Sequence, residues 1–254
     1  MPGRRICLAI LPDPGGPEEA LLAALTPEEQ GEARHHPPGR RRRQFALGRL
    51  AAHRAIRRAL GVELTVLVLV GAHGEPVARV DGAAAAGVSL SHAGRLAVAC
   101  AWLAGPEREF SAGIDLERVR PAELVGSPYA FSPGEKAMLG SAPQGELLAS
   151  LAAWTVKEAA WKALRPAPPS KPAEIEVTAL QLDPGWARVE VGPRLAPRLG
   201  ERAVRVRLGL LEAANGQYLL TVAEVAPGKG SFPAGRRPEG KRRSPPRWPG
   251  EHGV

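Results

Sequence analysis

The amino-acid sequence predicts an α+β fold of two pseudo-symmetric α/β subdomains, each an antiparallel-type sheet packed on helices, with a site at their interface. Three observations carry this expectation. Each half of the 254-residue chain reads as a strand, then helices, then a terminal cluster of strands. Two long segments, 41–60 and 145–162, hold helical periodicity without internal proline. Paired strand runs meet at Ala93-Gly94 and at Asn215-Gly216, the second a strong hairpin signal. With 44% hydrophobic residues the chain can bury one large core or two smaller ones. The expected division is 1–104, 105–226 and a tail, 227–254.

In order, residues 6–11 read as a first strand. Thr26-Pro-Glu-Glu29 is a helix start, with Thr26 as N-cap, Pro27 in the first turn and acids at the positive helix end. The helix 41–60 is arginine-rich and ends at Gly61, a natural C-cap. Residues 64–70 are β-branched and read as a strand. Gly71-Ala-His-Gly-Glu-Pro76 is a glycine-punctuated turn region, and 83–87 reads as a loose linker. Strands follow at 88–92 and 96–102, a boundary at Gly105-Pro-Glu-Arg108, and a strand at 110–116. Phe131-Ser-Pro-Gly-Glu135 carries a capping box, Ser132 with Glu135. The helix through Trp154-Thr-Val-Lys-Glu-Ala-Ala-Trp-Lys162 comes next. A proline-rich loop at 164–172 ends it, and strands at 175–182, 187–191, 204–211 and 218–225 close the fold.

The net charge of +8 is unevenly placed. From Pro227 on, seven Lys/Arg face two Glu, in a Pro/Gly/Arg-rich stretch without periodicity that reads as disordered. Residues 33–62 hold nine arginines and no acid; such a run is either a solvated surface or a site for phosphate or an acidic partner. Cys7 and Cys100 make neither a disulfide framework nor a metal cluster. The apolar run after Arg4-Arg5 stops at Pro12 and is too short for a secretion signal, so a cytoplasmic protein without membrane spans is expected.

Chemistry-bearing residues fall in three stretches. In Gly113-Ile-Asp-Leu-Glu117, strand alternation puts Asp115 and Glu117 on one face and Ile114 and Leu116 on the other. Paired carboxylates repel unless something positive lies between them, and a hard cation such as Mg²⁺ suits them; the bland alternative is a solvated acidic edge. On the helix 145–162, Glu158 and Lys162 stand one turn apart, as do Lys157 and Trp161. Read alone, that is an amphipathic helix with a surface ion pair and Trp154 anchored in the core. In Ser89-Leu-Ser-His-Ala-Gly94, His92 sits by glycine at a strand end, where an imidazole can reach phosphate. Neighbouring Ser91 and His92 cannot form a hydrolase triad.

Taken in order, Phe45-x-x-Gly48-Arg49, Gly74-x-Pro76, Ser-x-Ser-His92, Gly-Ile-Asp-Leu-Glu117, Phe-Ser-x-x-Glu135 and Trp-x-x-Lys-Glu-Ala-x-x-Lys162 closely resemble the 4′-phosphopantetheinyl transferases. The likeness is to the larger, single-chain pseudo-dimeric class that activates surfactin synthetase. It spans about 26–165 by motif and reaches 225 by length. The resemblance implies transfer of phosphopantetheine from coenzyme A to a serine of an acidic acyl- or peptidyl-carrier protein, releasing 3′,5′-ADP. It implies roles as well: Arg49 at the nucleotide end, Ser91 and His92 at a phosphate, and the Gly74, Glu75, Pro76 turn at the adenosine moiety. Asp115, Glu117 and Glu158 would hold Mg²⁺, and Lys162 and Lys157 would neutralise phosphate charge. Glu158, or a water it orients, would take the serine proton. A single chain with two such halves suffices as a monomer.

Three departures stand out: Ala93 at the third place, where the second serine of Ser-His-Ser is usual, Glu75 where the family has lysine, and the proline-rich loop after Lys162. Two other readings compete. A metal-dependent nuclease or phosphohydrolase wants Glu-x-Lys after the aspartate, whereas Val119 stands two beyond Glu117. A nucleic-acid-binding module would rely on the basic helix and tail, but only 4% of residues are aromatic and no binding motif is present.

Overall fold

Two antiparallel sheets lie back to back, each covered on its outer face by one long helix. The structure, a computed structural model, describes residues 6–61, 64–81, 86–103, 110–120, 131–165 and 171–227. Of the expected linker 83–87, residues 83–85 lie outside these and 86–87 are strand instead; the boundary at 105–108, most of the proline-rich loop and all but the first residue of the tail also lie outside. The fold is α+β, with antiparallel sheets packed against helices.

The first half contains β1 (Cys7–Pro12), α1 (Glu18–Ala23), α2 (Pro27–Ala33), α3 (Arg40–Leu60), β2 (Val66–Val70), β3 (Pro76–Val80), β4 (Ala86–Ala93) and β5 (Leu96–Leu103). Its strands are split between a sheet β1-β5-β4 and a separate β2-β3 hairpin, not joined in one sheet. Strand β3 was not expected from the Gly/Pro-punctuated sequence. The second half contains β6 (Ser111–Arg118), α4 (Pro133–Gly140), α5 (Glu146–Leu164), β7 (Ile175–Gln181), β8 (Trp186–Val191), α6 (Ala196–Leu199), β9 (Arg202–Ala213) and β10 (Gly216–Pro227), with sheet order β6-β10-β9-β8-β7.

Strand alternation builds the layers. On β5, Ala97, Ala99 and Ala101 are small and face α3, which lets the helix sit close. Val98, Cys100 and Trp102 face the other way, onto Ile114 and Leu116 of β6 and onto Tyr218, Leu220 and Val222 of β10. This central layer joins the halves; burying side chains such as Ile114 and Leu116 contributes about 1.5–3 kcal/mol each. On the opposite face of the second sheet, α5 packs through an alanine-rich surface, Ala152, Ala159, Ala160 and Ala163, over Leu219, Ala223 and Val225.

Both halves fasten the long helix in the same way. Thr26 and Ser132 cap α2 and α4 in full capping boxes with Glu29 and Glu135. Each of these glutamates is buried and reaches a long helix and a following strand. Glu29 meets His53 of α3 at 2.7 Å and accepts the Val68 N–H. Glu135 binds the Lys157 ammonium through both oxygens, at 2.7 and 2.8 Å, and accepts the Val177 N–H.

Gly113 decides how closely α5 lies on β6. A Cβ there would fall 2.0 Å from the Ala159 carbonyl oxygen and 2.5 Å from the Ala163 nitrogen, both backbone atoms. Ser111 Oγ donates to the Ala163 carbonyl at the same crossing. Gly113→Ala is expected to push the helix off the strand at a cost of at least about 1–3 kcal/mol. Thermal unfolding will check this: a fall in Tm of about 2 °C or more is expected.

Candidate active site

The edge strands β4 and β6, one from each half, meet without sharing a sheet, and serine hydroxyls make the polar link between them. The Ile114 N–H donates to Ser89 Oγ at 3.2 Å, and Ser91 Oγ donates to Asp115 Oδ1 at 2.9 Å. On β6, Gly113, Asp115 and Glu117 share the face that looks at α5, while Ile114 and Leu116 are buried on the other, as the alternation predicts. Because Gly113 brings α5 close, Lys162 Nζ reaches Asp115 Oδ1 at 2.6 Å and the Ile114 carbonyl at 3.3 Å. From Leu151 on, helix α5 is buried nearly all round, and Trp154, Glu158, Trp161 and Lys162 form the half-open stripe of that part.

The electrostatics are those of crowded carboxylates around one ammonium. Burial, then the adjoining Asp115 charge, pushes Glu117 up to about 7, with Glu158 adding to the effect. Glu158 is raised as well, first by burial and then by Asp115. Burial opposes the charge of Lys162, but contact with Asp115, and Glu158 and Glu117 beyond it, outweigh this and hold it above the usual lysine range. His92 is held below its ordinary value, first by desolvation in the cleft and then by Lys162 and Arg40. Asp115 Oδ2 is buried and has no hydrogen-bond partner. The aspartate therefore has one oxygen committed to Lys162 and Ser91 and one left without a partner. Among the described residues, no three His, Cys, Asp or Glu side chains form a ready-made metal cage. The three carboxylates sense one another's charge but are not drawn together.

Glu117 makes this crowding measurable. Its folded value lies above the ordinary 4.5, so the folded protein binds the proton more firmly than the unfolded chain. That contribution is fully present below about pH 4.5 and is lost as pH rises through about 7. In chelator, Glu117→Gln is expected to gain Tm relative to the wild type as pH goes from 5 to 8. Parallel Tm profiles would contradict the assignment.

Two clefts flank the centre. One, about 370 Å³, is lined by His92, Gly94, Glu117, Arg40, Leu151 and Trp154 among others. The other, about 310 Å³, is lined by Gly74, Glu75, Pro76, Trp161, Lys162 and Arg165 among others. The structure thus brings Ser91, His92, Asp115, Glu117, Glu158, Lys162 and the Gly74–Pro76 turn around one seam. Glu75 lines the narrower cleft. Its carboxylate folds back onto its own turn, accepts the His73 N–H at 2.9 Å and lies over Gly71. Ala93 is buried in the wall of the wider cleft.

Three expectations are corrected. Lys157 is not at the site: it is 1% exposed, locked to Glu135, with its ammonium 5.5 Å from the Phe131 ring centre. Arg49 lines neither cleft. It is 4% exposed, its guanidinium lies over Phe45 at 4.3 Å, and it reaches Glu32 at 3.4 Å, in a knot that also holds the Val70 N–H. Trp154 faces the wider cleft instead of anchoring in the core. Nor is the arginine run one open surface: Arg43 pairs with Asp13, Arg42 with Glu18 and the His36 carbonyl, and Arg58 donates to the Leu8 carbonyl. The sequence reading missed Arg40 and Arg165 as cleft residues. Their only signal is position, one at the start of α3 and one at the end of α5.

The fold and seam thus define an α+β protein with an acid-and-lysine centre between two sheets. Residues 111–223, which carry Asp115, Glu117, Glu158 and Lys162, match the family model of the 4′-phosphopantetheinyl transferase superfamily. No curated protein matches the chain. No helix among the described residues is long and apolar enough to cross a membrane.

Proposed function

We propose that the protein transfers 4′-phosphopantetheine from coenzyme A to a serine hydroxyl of an acidic acyl- or peptidyl-carrier protein, with Mg²⁺. The observation that carries this reading is Asp115 and Glu117 facing Glu158 and Lys162 at the seam, within the stretch matched by the family model. Asp115, Glu117 and Glu158 are the residues that would hold the cation, and the partnerless Asp115 Oδ2 suits that role. Bound there, Mg²⁺ would offset pyrophosphate charge and the mutual repulsion of the acids.

The chain's own groups do the rest. Lys162 is firmly cationic, and in this reading it offsets the charge that grows on the departing phosphate. His92, held largely neutral at pH 7, can donate a hydrogen bond to a phosphate oxygen from the wall of the wider cleft. Glu158, its basicity raised, accepts the serine proton directly or through a water. The serine oxygen bonds to the phosphorus that bears the pantetheine arm, the bond from that phosphorus to the bridging oxygen breaks, and 3′,5′-ADP leaves. Positioning and electrostatics supply most of the rate, and no covalent enzyme intermediate is needed.

The test is direct. The protein is incubated with coenzyme A, Mg²⁺ and an apo carrier protein. The intact mass of the carrier should rise by one phosphopantetheine group; no gain on any of a fatty-acid, polyketide and peptidyl carrier overturns the reading.

A further inference from the structure

We propose that Arg165 is an anion-binding residue of the narrower cleft and recognises a phosphate at the nucleotide end of coenzyme A. This rests on the transfer reading for the identity of the ligand, but the residue is argued from the cleft itself.

The charged groups facing the cleft are unequal. Glu75 has folded its carboxylate back onto its own turn. Lys162 is committed to Asp115. Arg165 is a cation held in place without an acid: among the described residues it makes no ion pair. One of its N–H groups donates to the Val88 carbonyl at 3.0 Å, and its guanidinium lies over the Trp102 ring at 5.0 Å. The guanidinium is thus oriented by a neutral acceptor and an aromatic face, and the Glu75 charge acts on it without contact. A planar fork held this way suits phosphate oxygens.

Two further features point to a ligand. Trp161 Nε1, in the same cleft, is buried with no hydrogen-bond partner, a neutral donor awaiting an acceptor. Arg165 is also the C-cap of α5 with φ 47°, a left-handed conformation usually left to glycine or asparagine. That turn sends its side chain back across the seam to β4 and β5. Leu90 and Pro76 add apolar surface to the cleft lining, which suits a flat ring.

A purely structural role, in which Arg165 only ties α5 to the first half, predicts different results. The full chain and its Arg165→Gln variant are titrated calorimetrically with 3′,5′-ADP and with adenosine. The variant is expected to bind 3′,5′-ADP about 10- to 100-fold more weakly, the loss of one charge-assisted contact, and adenosine within about twofold of the wild type. Arg165→Lys should recover part of the loss. In turnover, KM for coenzyme A should rise while kcat at saturation holds within about twofold. Unchanged 3′,5′-ADP affinity, or equal losses for both ligands, overturns the proposal, whatever the Tm does. Should the wild type bind 3′,5′-ADP in an Arg165-dependent way yet modify no carrier, the transfer reading fails and the anion site stands. A wild type that binds no 3′,5′-ADP overturns the anion site.

Discussion

Asp115→Asn is expected to lower carrier modification by at least about 10²–10³-fold, the loss typical of removing one preorganised charge from a reaction centre. The geometry says why so small a change matters. Asp115 Oδ1 receives both Ser91 Oγ and Lys162 Nζ, and its other oxygen is free for a cation. Asparagine fills the same space but offers half the acceptor capacity and no charge, so Lys162 loses its strongest partner and tilts. The fold should persist, because the layers around Asp115 are held by Ile114, Leu116 and α5. Intact-mass assays of the carrier together with circular dichroism check both halves of this statement. Activity within tenfold of wild type in a folded variant would remove Asp115 from the site.

Lys157→Met is expected to destabilise the protein by about 3–5 kcal/mol, the usual cost of stripping one partner from a buried ion pair. The Glu135 carboxylate would keep its bonds from Ser132 and Val177 but be left charged in the core. The double variant Glu135→Gln, Lys157→Met should recover a good part of the loss, since it removes the stranded charge. Urea unfolding of the three proteins measures the difference. A Lys157→Met protein within about 1 kcal/mol of wild type would mean the pair is hydrated and not buried.

The same residue shows where the sequence could be read and where it could not. Features set by a few neighbouring residues were legible: the Thr26 and Ser132 caps, the Gly61 stop of α3, the Asn215-Gly216 hairpin and the alternation that turns Asp115 and Glu117 to one side. Lys157 and Arg49 were not, because their surroundings come from distant elements. Lysine at helical spacing looks like surface decoration until the neighbouring alanines are seen to be packing surface for a sheet on one side and α4 on the other. Arg49 looks like a phosphate ligand until Glu32 and Phe45 are found against it. In both cases an acid donated by a short preceding helix captured the cation, Glu135 fully buried and Glu32 half-buried. Strand β3 was hidden for a different reason: Pro76 opens it at the edge of a two-stranded hairpin, where no donor is needed from that residue.

The matched fastenings, Glu29 with His53 and Glu135 with Lys157, carry one further meaning. Counting onward from the fastened position, Lys157 is followed by Glu158 and, four later, by Lys162; from His53 the same steps arrive at Arg54 and Arg58. Strand β1, which opens the first half as β6 opens the second, carries no acid at all. The same bolt thus holds a long helix in each half, but only in the second half does it set a carboxylate and an ammonium one turn apart beside an acid-bearing strand.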